Sequence, residues 1–155
     1  MLKKGLSALT SSHQSDQIVR NWFALFESYC QSVDYDSAES LFAKESVSFG
    51  RSMQIASGTQ DMRVNQWEKT WPLISNFKMD LENMYADGNE TQVWGLATWT
   101  SIGFNGRHEP FYRPGYSSVI LKRYREHWLA VHLHSSLYPG ISHYTFGPKA
   151  KPKDH

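Results

Sequence analysis

The stretch Tyr116–Pro139, YSSVILKRYREHWLAVHLHSSLYP, decides the fold. Ser118–Arg123 (SVILKR) is a β-branched apolar run that turns basic at its end. Tyr124-Arg125-Glu126-His127 is polar and short enough for a hairpin connection, although it lacks the Asn-Gly pair that favours the tightest turns. Trp128–Leu137 follows as WLAVHLHSSL. Leu129, Val131, Leu133 and Leu137 fall on one two-residue parity, and Trp128, Ala130, His132, His134 and Ser136 on the other. Alternate side chains of a strand point to opposite faces, so one face is aliphatic and the other carries two imidazoles and a hydroxyl in a row. Parity leaves open whether the imidazole row or the aliphatic row faces the interior.

Upstream, Val93–Ile102 (VWGLATWTSI) is apolar on both parities and predicts a strand covered on both faces. Phe77, Met79 and Leu81 alternate with Lys78, Asp80 and Glu82, and Asp87-Gly88-Asn89 marks a turn. Gly103–Pro114, with Gly106, Pro110 and Pro114, reads as a loop able to overhang a cavity. Before Asn76 the periodicity is helical. Ser15 is the expected cap of a helix whose apolar stripe is Ile18, Trp22, Leu25, Phe26, Tyr29 and Val33. Asp36 and Glu39 bracket the start of a shorter helix burying Ala38, Leu41 and Phe42. Val47 and Phe49 alternate with serines in a short strand. A third helix follows Ser57-Gly58-Thr59, carries Val64, Trp67, Trp71 and Ile74, and loosens at Pro72.

Helices gathered first and strands after predict an α+β fold: a curved antiparallel sheet of four to six strands wrapped around a long N-terminal helix, a cone-shaped α+β barrel. Residues 15–139 form the expected single domain, with a flexible segment 1–14 and a C-terminal tail 140–155 whose GPKAKPKDH ending has little to pack. A net charge of +1 gives no electrostatic case for nucleic acid. The N-terminus has no apolar run of signal-peptide length and nothing approaches a membrane span, so a cytoplasmic location is expected. Cys30 is the sole cysteine, which suits a reducing compartment. Both parities of the central strands are apolar while one helical layer covers one face, so a homodimer through the outer face is expected.

The segment LFAKESVSFG and the closing RYREHWLAVHLHSSLYP resemble the nuclear transport factor two-like, or SnoaL-like, superfamily over residues 15–139. The ending is similar to that of ketosteroid-isomerase-like proteins and of calmodulin-dependent kinase association (hub) domains. The resemblance implies the cone-shaped fold, a cavity between sheet and helices, and pairing with a second copy. Ketosteroid isomerases would place a general-base aspartate near Val47-Ser48-Phe49-Gly50-Arg51, which holds no carboxylate. Hub domains would place carboxylate-binding arginines at the positions of Ala97 and Val119. Neither activity transfers on these residues.

An aromatic share of 14%, with six Trp, favours a pocket. Trp22, Tyr29, Phe49, Trp67, Trp71, Trp94, Trp99, Tyr116 and Ser136 are the candidate ligand-binding residues, against the alternative that the aromatics are core. His132 and His134 are the candidate general acid/base pair, against a structural role in a half-buried or dimer-facing surface. His-x-His supplies two metal ligands where zinc takes at least three; His108, Glu109 or His143 would have to complete the set, and no metal or other cofactor is expected. Tyr112, Arg113 and Tyr116 flank the proline-bracketed loop and either close over a ligand or merely connect strands. Cys30 has no activating neighbour in sequence. The expected partner is a small apolar or carbonyl-bearing molecule, bound either with proton-transfer chemistry (isomerase, cyclase or dehydratase) or without turnover; a dimerisation module is the further alternative.

Overall fold

The computed structural model describes residues 2–50 and 55–151, with side chains from residue 13 onward. Helix α1 spans Leu2–Ser32, so it begins upstream of the expected Ser15 cap, and Ser15 lies buried within it. Its inward stripe is Ser15, Val19, Trp22, Phe23, Phe26 and Cys30. These follow the i, i+4, i+7, i+8 spacing of one helix face. The expected stripe is rotated: Leu25 is exposed, and Ile18, Tyr29 and Val33 pack at the edge of the core. Helix α2 (Tyr35–Glu39) is capped by Asp34, two residues before the expected Asp36, its side chain accepting from the Ser37 amide. Helix α3 is a single turn, Thr59–Met62, that widens into a π-helical stretch at Arg63–Trp67 and ends in a 3-10 turn at Trp71–Leu73, where Pro72 prevents continuation.

Eight strands form the sheet: β1 (Phe42–Phe49), β2 (Ile55–Ser57), β3 (Ser75–Met79), β4 (Tyr85–Gly88), β5 (Gln92–Phe104), β6 (Pro110–Tyr112), β7 (Gly115–Tyr124) and β8 (His127–Leu137). The order is β2-β1-β8-β7-β5-β3, with β4 and β6 also paired to β5. Pairing is antiparallel except for β1, which joins β8 in parallel. The expected α+β architecture, a sheet packed around a long N-terminal helix, is present; within it the sheet is mixed and unclosed, with eight strands and one parallel pair where four to six antiparallel strands were expected. The parallel pair arises because the chain crosses from β1 to β8 through most of its length, which a hairpin cannot do.

The β7–β8 connection is a two-residue loop, Arg125-Glu126, with Tyr124 opposite His127. Arg125 adopts φ 57°, the left-handed conformation this loop length demands even without Asn or Gly. The strict alternation read along β8 breaks at Val131. Ile120 pairs with His132 but Leu121 pairs with Ala130, so Val131 is an extra residue on β8. Ala130 and Leu133 consequently both face the core.

Strand β5 alternates cleanly, with Val93, Gly95, Ala97, Trp99 and Ser101 buried. Trp94 (42% exposed) and Leu96 (45%) occupy the outer face, which in the single chain is uncovered. The helix lies against the other face so closely that Gly95 is required there: a Cβ would sit 2.1 Å from Val19 Cγ1. Side-chain ties hold α1 to β3: Gln31 Nε2 donates to Phe77 O at 2.6 Å, and the Met79 amide donates to Glu27 Oε1 at 2.7 Å.

The proline-bracketed segment is not an open loop. Strand β6 continues the register of β7 on β5, since Ile102 pairs with Tyr112 and Trp99 with Gly115. Arg113, between them, exchanges backbone hydrogen bonds with Ser101 at 2.9 and 3.0 Å. After β8 the chain also packs more than expected. Thr145 is buried, donates to Leu73 O at 2.6 Å and accepts from the Phe104 amide at 2.9 Å. Arg51 and residues 152–155 lie outside the described residues. No helix among the described residues is long and apolar enough to cross a membrane.

Candidate functional site

A cavity of about 90 Å³ opens between the C-terminal half of α1, the α3 region and the concave face of the sheet. Its wall is aromatic for stated reasons. The π-helical stretch and the turn after it present Gln66, Trp67, Thr70 and Trp71 on one side. Trp67 and Trp71 stack at 4.9 Å, and Trp71 also meets Phe26 edge-on at 5.7 Å. From the sheet, Trp99 closes the opposite side against Phe77 at 5.4 Å. Such contacts hold the indoles in fixed orientations, so the wall is preformed.

The cavity is polar on the sheet side. Trp99 Nε1 donates to Ser117 Oγ at 3.0 Å, and Ser117 Oγ shares a hydrogen bond with Ser135 Oγ at 2.6 Å. Ser48 donates to Gln66 Oε1 at 3.1 Å. Arg113 is 3% exposed and lines the cavity. Its guanidinium carbon lies 5.9 Å from the Trp99 ring centroid. Gly103 makes that position available: a Cβ there would come within 3.0 Å of Arg113 Cδ. Arg113 is the one ionised side chain among the described lining residues. Cys30 also lines the cavity; burial pushes its thiol well above the usual range, with the Arg113 guanidinium pulling the other way.

The candidate ligand-binding residues fall into three groups. Phe49, Trp67, Trp71, Trp99 and Ser136 line the cavity. Trp22 is core, its Nε1 donating to Leu41 O at 3.0 Å, and Tyr29 packs at the core's edge. Trp94 and Tyr116 stand exposed on the outer face. His132 and His134 alternate with the cavity-lining Leu133 and Ser135. His132 Nδ1 lies 3.1 Å from Val47 O, and His134 Nε2 lies 2.6 Å from Ser136 Oγ. Both rings pack against Phe49, at 6.0 and 5.5 Å. His134 also borders an outer groove with Tyr85, Leu96, Thr98 and Tyr116. His108 Nδ1 is 2.9 Å from Gly147 O, and among the described residues no three His, Cys, Asp or Glu side chains converge on a metal position.

Ser48, Gln66 and Ser135 are polar lining groups that sequence reasoning did not place in a site, and Arg113, offered there only as one of three loop residues that either close over a ligand or connect strands, lines the cavity from a strand-paired position. For Arg113 the signal was present: counting back from Val119 through Ser117 and Gly115 in steps of two reaches it.

No protein-family model and no curated protein sequence matches the chain. Solved structures match throughout the fold. A nuclear transport factor 2-like superfamily protein from Salmonella enterica is 14% identical with a TM-score of 0.69, covering 92% of this chain and 99% of that one. The association domain of C. elegans CaMKII is 15% identical with a TM-score of 0.64, over 82% of this chain and 98% of that one. A protein with a cystatin-like fold from Nostoc punctiforme is 14% identical with a TM-score of 0.66, over 81% and 92%. The chain has this cystatin-like, nuclear transport factor 2-like fold. At these identities the likeness carries architecture and no activity.

Proposed function

We propose that this chain is a small-molecule-binding domain of the SnoaL-like type, whose ligand occupies the cavity between α1, the α3 region and β5–β8. The observation that carries the reading is the preformed aromatic wall of Trp67, Trp71 and Trp99 facing a polar sheet side. Burial against flat rings supplies affinity, and a few fixed polar groups supply orientation. The volume of about 90 Å³ restricts the occupant to roughly the size of a single ring, well below drug-sized pockets. A small apolar or carbonyl-bearing molecule fits these terms. In this reading His132 and His134 serve the outer surface: neither is among the cavity-lining residues, and His134 borders the outer groove with Leu96 and Tyr116.

A second reading concerns that outer surface. Trp94, Leu96 and Tyr116, each over 40% exposed, lie together on the convex face and support a homodimer formed across it. The association domain among the structural matches is consistent with assembly through such a fold.

The ligand reading is tested by mass spectrometry of small molecules retained through purification, followed by titration of tryptophan emission. A saturable change in emission that is reduced in Trp67→Phe is the expected result. A protein that retains nothing, and whose emission no small ring compound alters, would refute it.

A further inference from the structure

We infer that the cavity selects an uncharged ring compound whose polar group only accepts hydrogen bonds, a carbonyl above all, with Ser135 as the residue that donates to it. The inference rests on the ligand-binding reading above and adds the chemical class and the residue that sets it.

One hydrogen-bond chain crosses three strands of the sheet. An indole nitrogen can only donate, so Trp99 Nε1 on β5 gives its proton to Ser117 Oγ on β7 at 3.0 Å. Gly115 makes this reach possible: a Cβ there would lie 2.2 Å from Trp99 Cζ2, so glycine lets the indole lie across β7. Ser117 and Ser135 are register partners in the β7–β8 pair, and their hydroxyl oxygens are 2.6 Å apart. Distance alone leaves the direction of that second bond open, and the count of protons fixes it. A hydroxyl has one proton to give and two lone pairs to accept with. Ser117 Oγ has two partners among the described residues, Trp99 and Ser135, and Ser117 is only 5% exposed. Were Ser135 the donor, Ser117 would accept twice and its own proton would be buried without a partner, which is costly. The chain therefore runs from Trp99 to Ser117 to Ser135, and each donation polarises the next hydroxyl.

Ser135 ends the chain with its proton unspent. Its oxygen accepts from Ser117, and no acceptor for its own proton stands among the described residues. Ser135 lines the cavity whereas Ser117 does not, so the proton is offered to whatever occupies the cavity. Gln66, in the same lining, is biased the same way. Its Oε1 is taken by the Ser48 hydroxyl at 3.1 Å, while its Nε2 reaches Ser48 O only at 3.5 Å and keeps donor capacity. The Cys30 thiol, held protonated by burial, adds a weak donor. Donors thus predominate among these groups. A carbonyl oxygen, with two lone pairs and no proton, matches them; an amine, which must give protons away, does not. The tryptophan wall then takes the ring. Recognition combines one directed hydrogen bond at the sheet with stacking at the opposite wall.

Cyclohexanone and methylenecyclohexane separate these statements. The two match in ring and shape; only the ketone carries an acceptor. Affinities are read by titrating the indole N–H resonances of protein labelled with 15N-tryptophan, in wild type and in Ser135→Ala. The variant should bind cyclohexanone about five- to tenfold more weakly, because a buried carbonyl loses its donor, and methylenecyclohexane within about twofold of wild type. In wild type, cyclohexanone should move the Trp99 indole proton further downfield than methylenecyclohexane does, because an acceptor at Ser135 strengthens the bond two steps back along the chain. The wild-type comparison needs no variant, so it decides the matter even if Ser135→Ala does not fold. Unchanged ketone affinity in folded Ser135→Ala, equal weakening of both probes, or a Trp99 resonance that responds alike to both would overturn the assignment to Ser135 and leave the cavity reading standing. If neither probe binds, the cavity reading fails and the assignment falls with it.

Discussion

Gly95→Ala should destabilise the fold through a single identifiable contact. A Cβ built on Gly95 lies 2.1 Å from Val19 Cγ1 and 3.2 Å from Val19 Cβ and Cγ2. Carbon atoms prefer about 3.5–4.0 Å, so helix and sheet would have to part by roughly 1.5 Å at this point. Val19 is fully buried, and a β-branched residue in a helix has essentially one χ1 rotamer, so it cannot turn aside. Overpacking of this kind costs about 1–3 kcal/mol. The unfolded chain loses freedom when alanine replaces glycine, which offsets about 0.4–1 kcal/mol. Gly95 has an ordinary backbone conformation, so no strain is added. The expected net loss is about 1–2 kcal/mol in urea denaturation, with an unchanged m-value. Val19→Ala alone should also destabilise, by about 1–3 kcal/mol, because it opens a cavity. Combined, the two changes should cost less than their sum by at least about 1 kcal/mol, since the new methyl fills the space the valine vacated. Strict additivity, or a Gly95→Ala protein as stable as wild type, would show that helix and sheet do not meet at this residue.

Two further outcomes are expected. Leu96→Glu on the outer face should shift the species seen by light scattering from dimer to monomer while leaving the circular dichroism and ligand response of the cavity intact; an unaltered mass at micromolar concentration would count against association through this face. Cys30 gives a pH dependence of definite sign: burial holds the folded thiol protonated, whereas an exposed thiol ionises from about pH 8.5. The unfolded chain therefore releases a proton that the native chain keeps, and the stability this contributes below about pH 8.5 is lost as pH rises. Under reducing conditions wild type should lose up to about 1.4 kcal/mol per pH unit more than Cys30→Ala between pH 9 and 10, and parallel profiles would exclude it.

Much of the architecture was legible because each element's period is long enough to declare itself. The long helix, the switch near Asn76 and the hairpin at Tyr124–His127 follow from spacing alone. Three features were not legible. The helix stripe was rotated because Leu25 and Phe23 are both apolar, and only the partner surface decides which one is buried. The bulge at Val131 leaves no mark in composition, since Val131 fits the aliphatic parity of Leu129 and Leu133 as well as it fits an inserted position. In β1 the serines, Ser46 and Ser48, point inward while Val47 lies outside at 40% exposure. Hydrophobicity misleads there because one face borders a partly polar cavity and the other forms part of an apolar outer surface.

The site was legible in its aromatics and obscured at its cation, for a reason that lies in proline. Pro110 and Pro114 mark Gly103–Pro114 as a loop, and in most sequences that inference is sound. Here they bracket a strand, because the register on β5 runs unbroken from Ile102–Tyr112 to Trp99–Gly115. Pro114 supplies an acceptor, its carbonyl taking the Tyr138 amide at 3.1 Å, and a position that needs only an acceptor tolerates proline. Once the segment is read as strand, parity fixes Arg113 on the concave side, and its burial follows from geometry rather than from composition. The inward residues of β5 and β7 divide accordingly: Val93, Ala97, Val119 and Leu121 form the apolar core, whereas Trp99, Ser101, Arg113 and Ser117 meet where the cavity opens near the end of α1. That change from apolar to polar along one face marks the candidate site in a sheet that elsewhere only covers a helix.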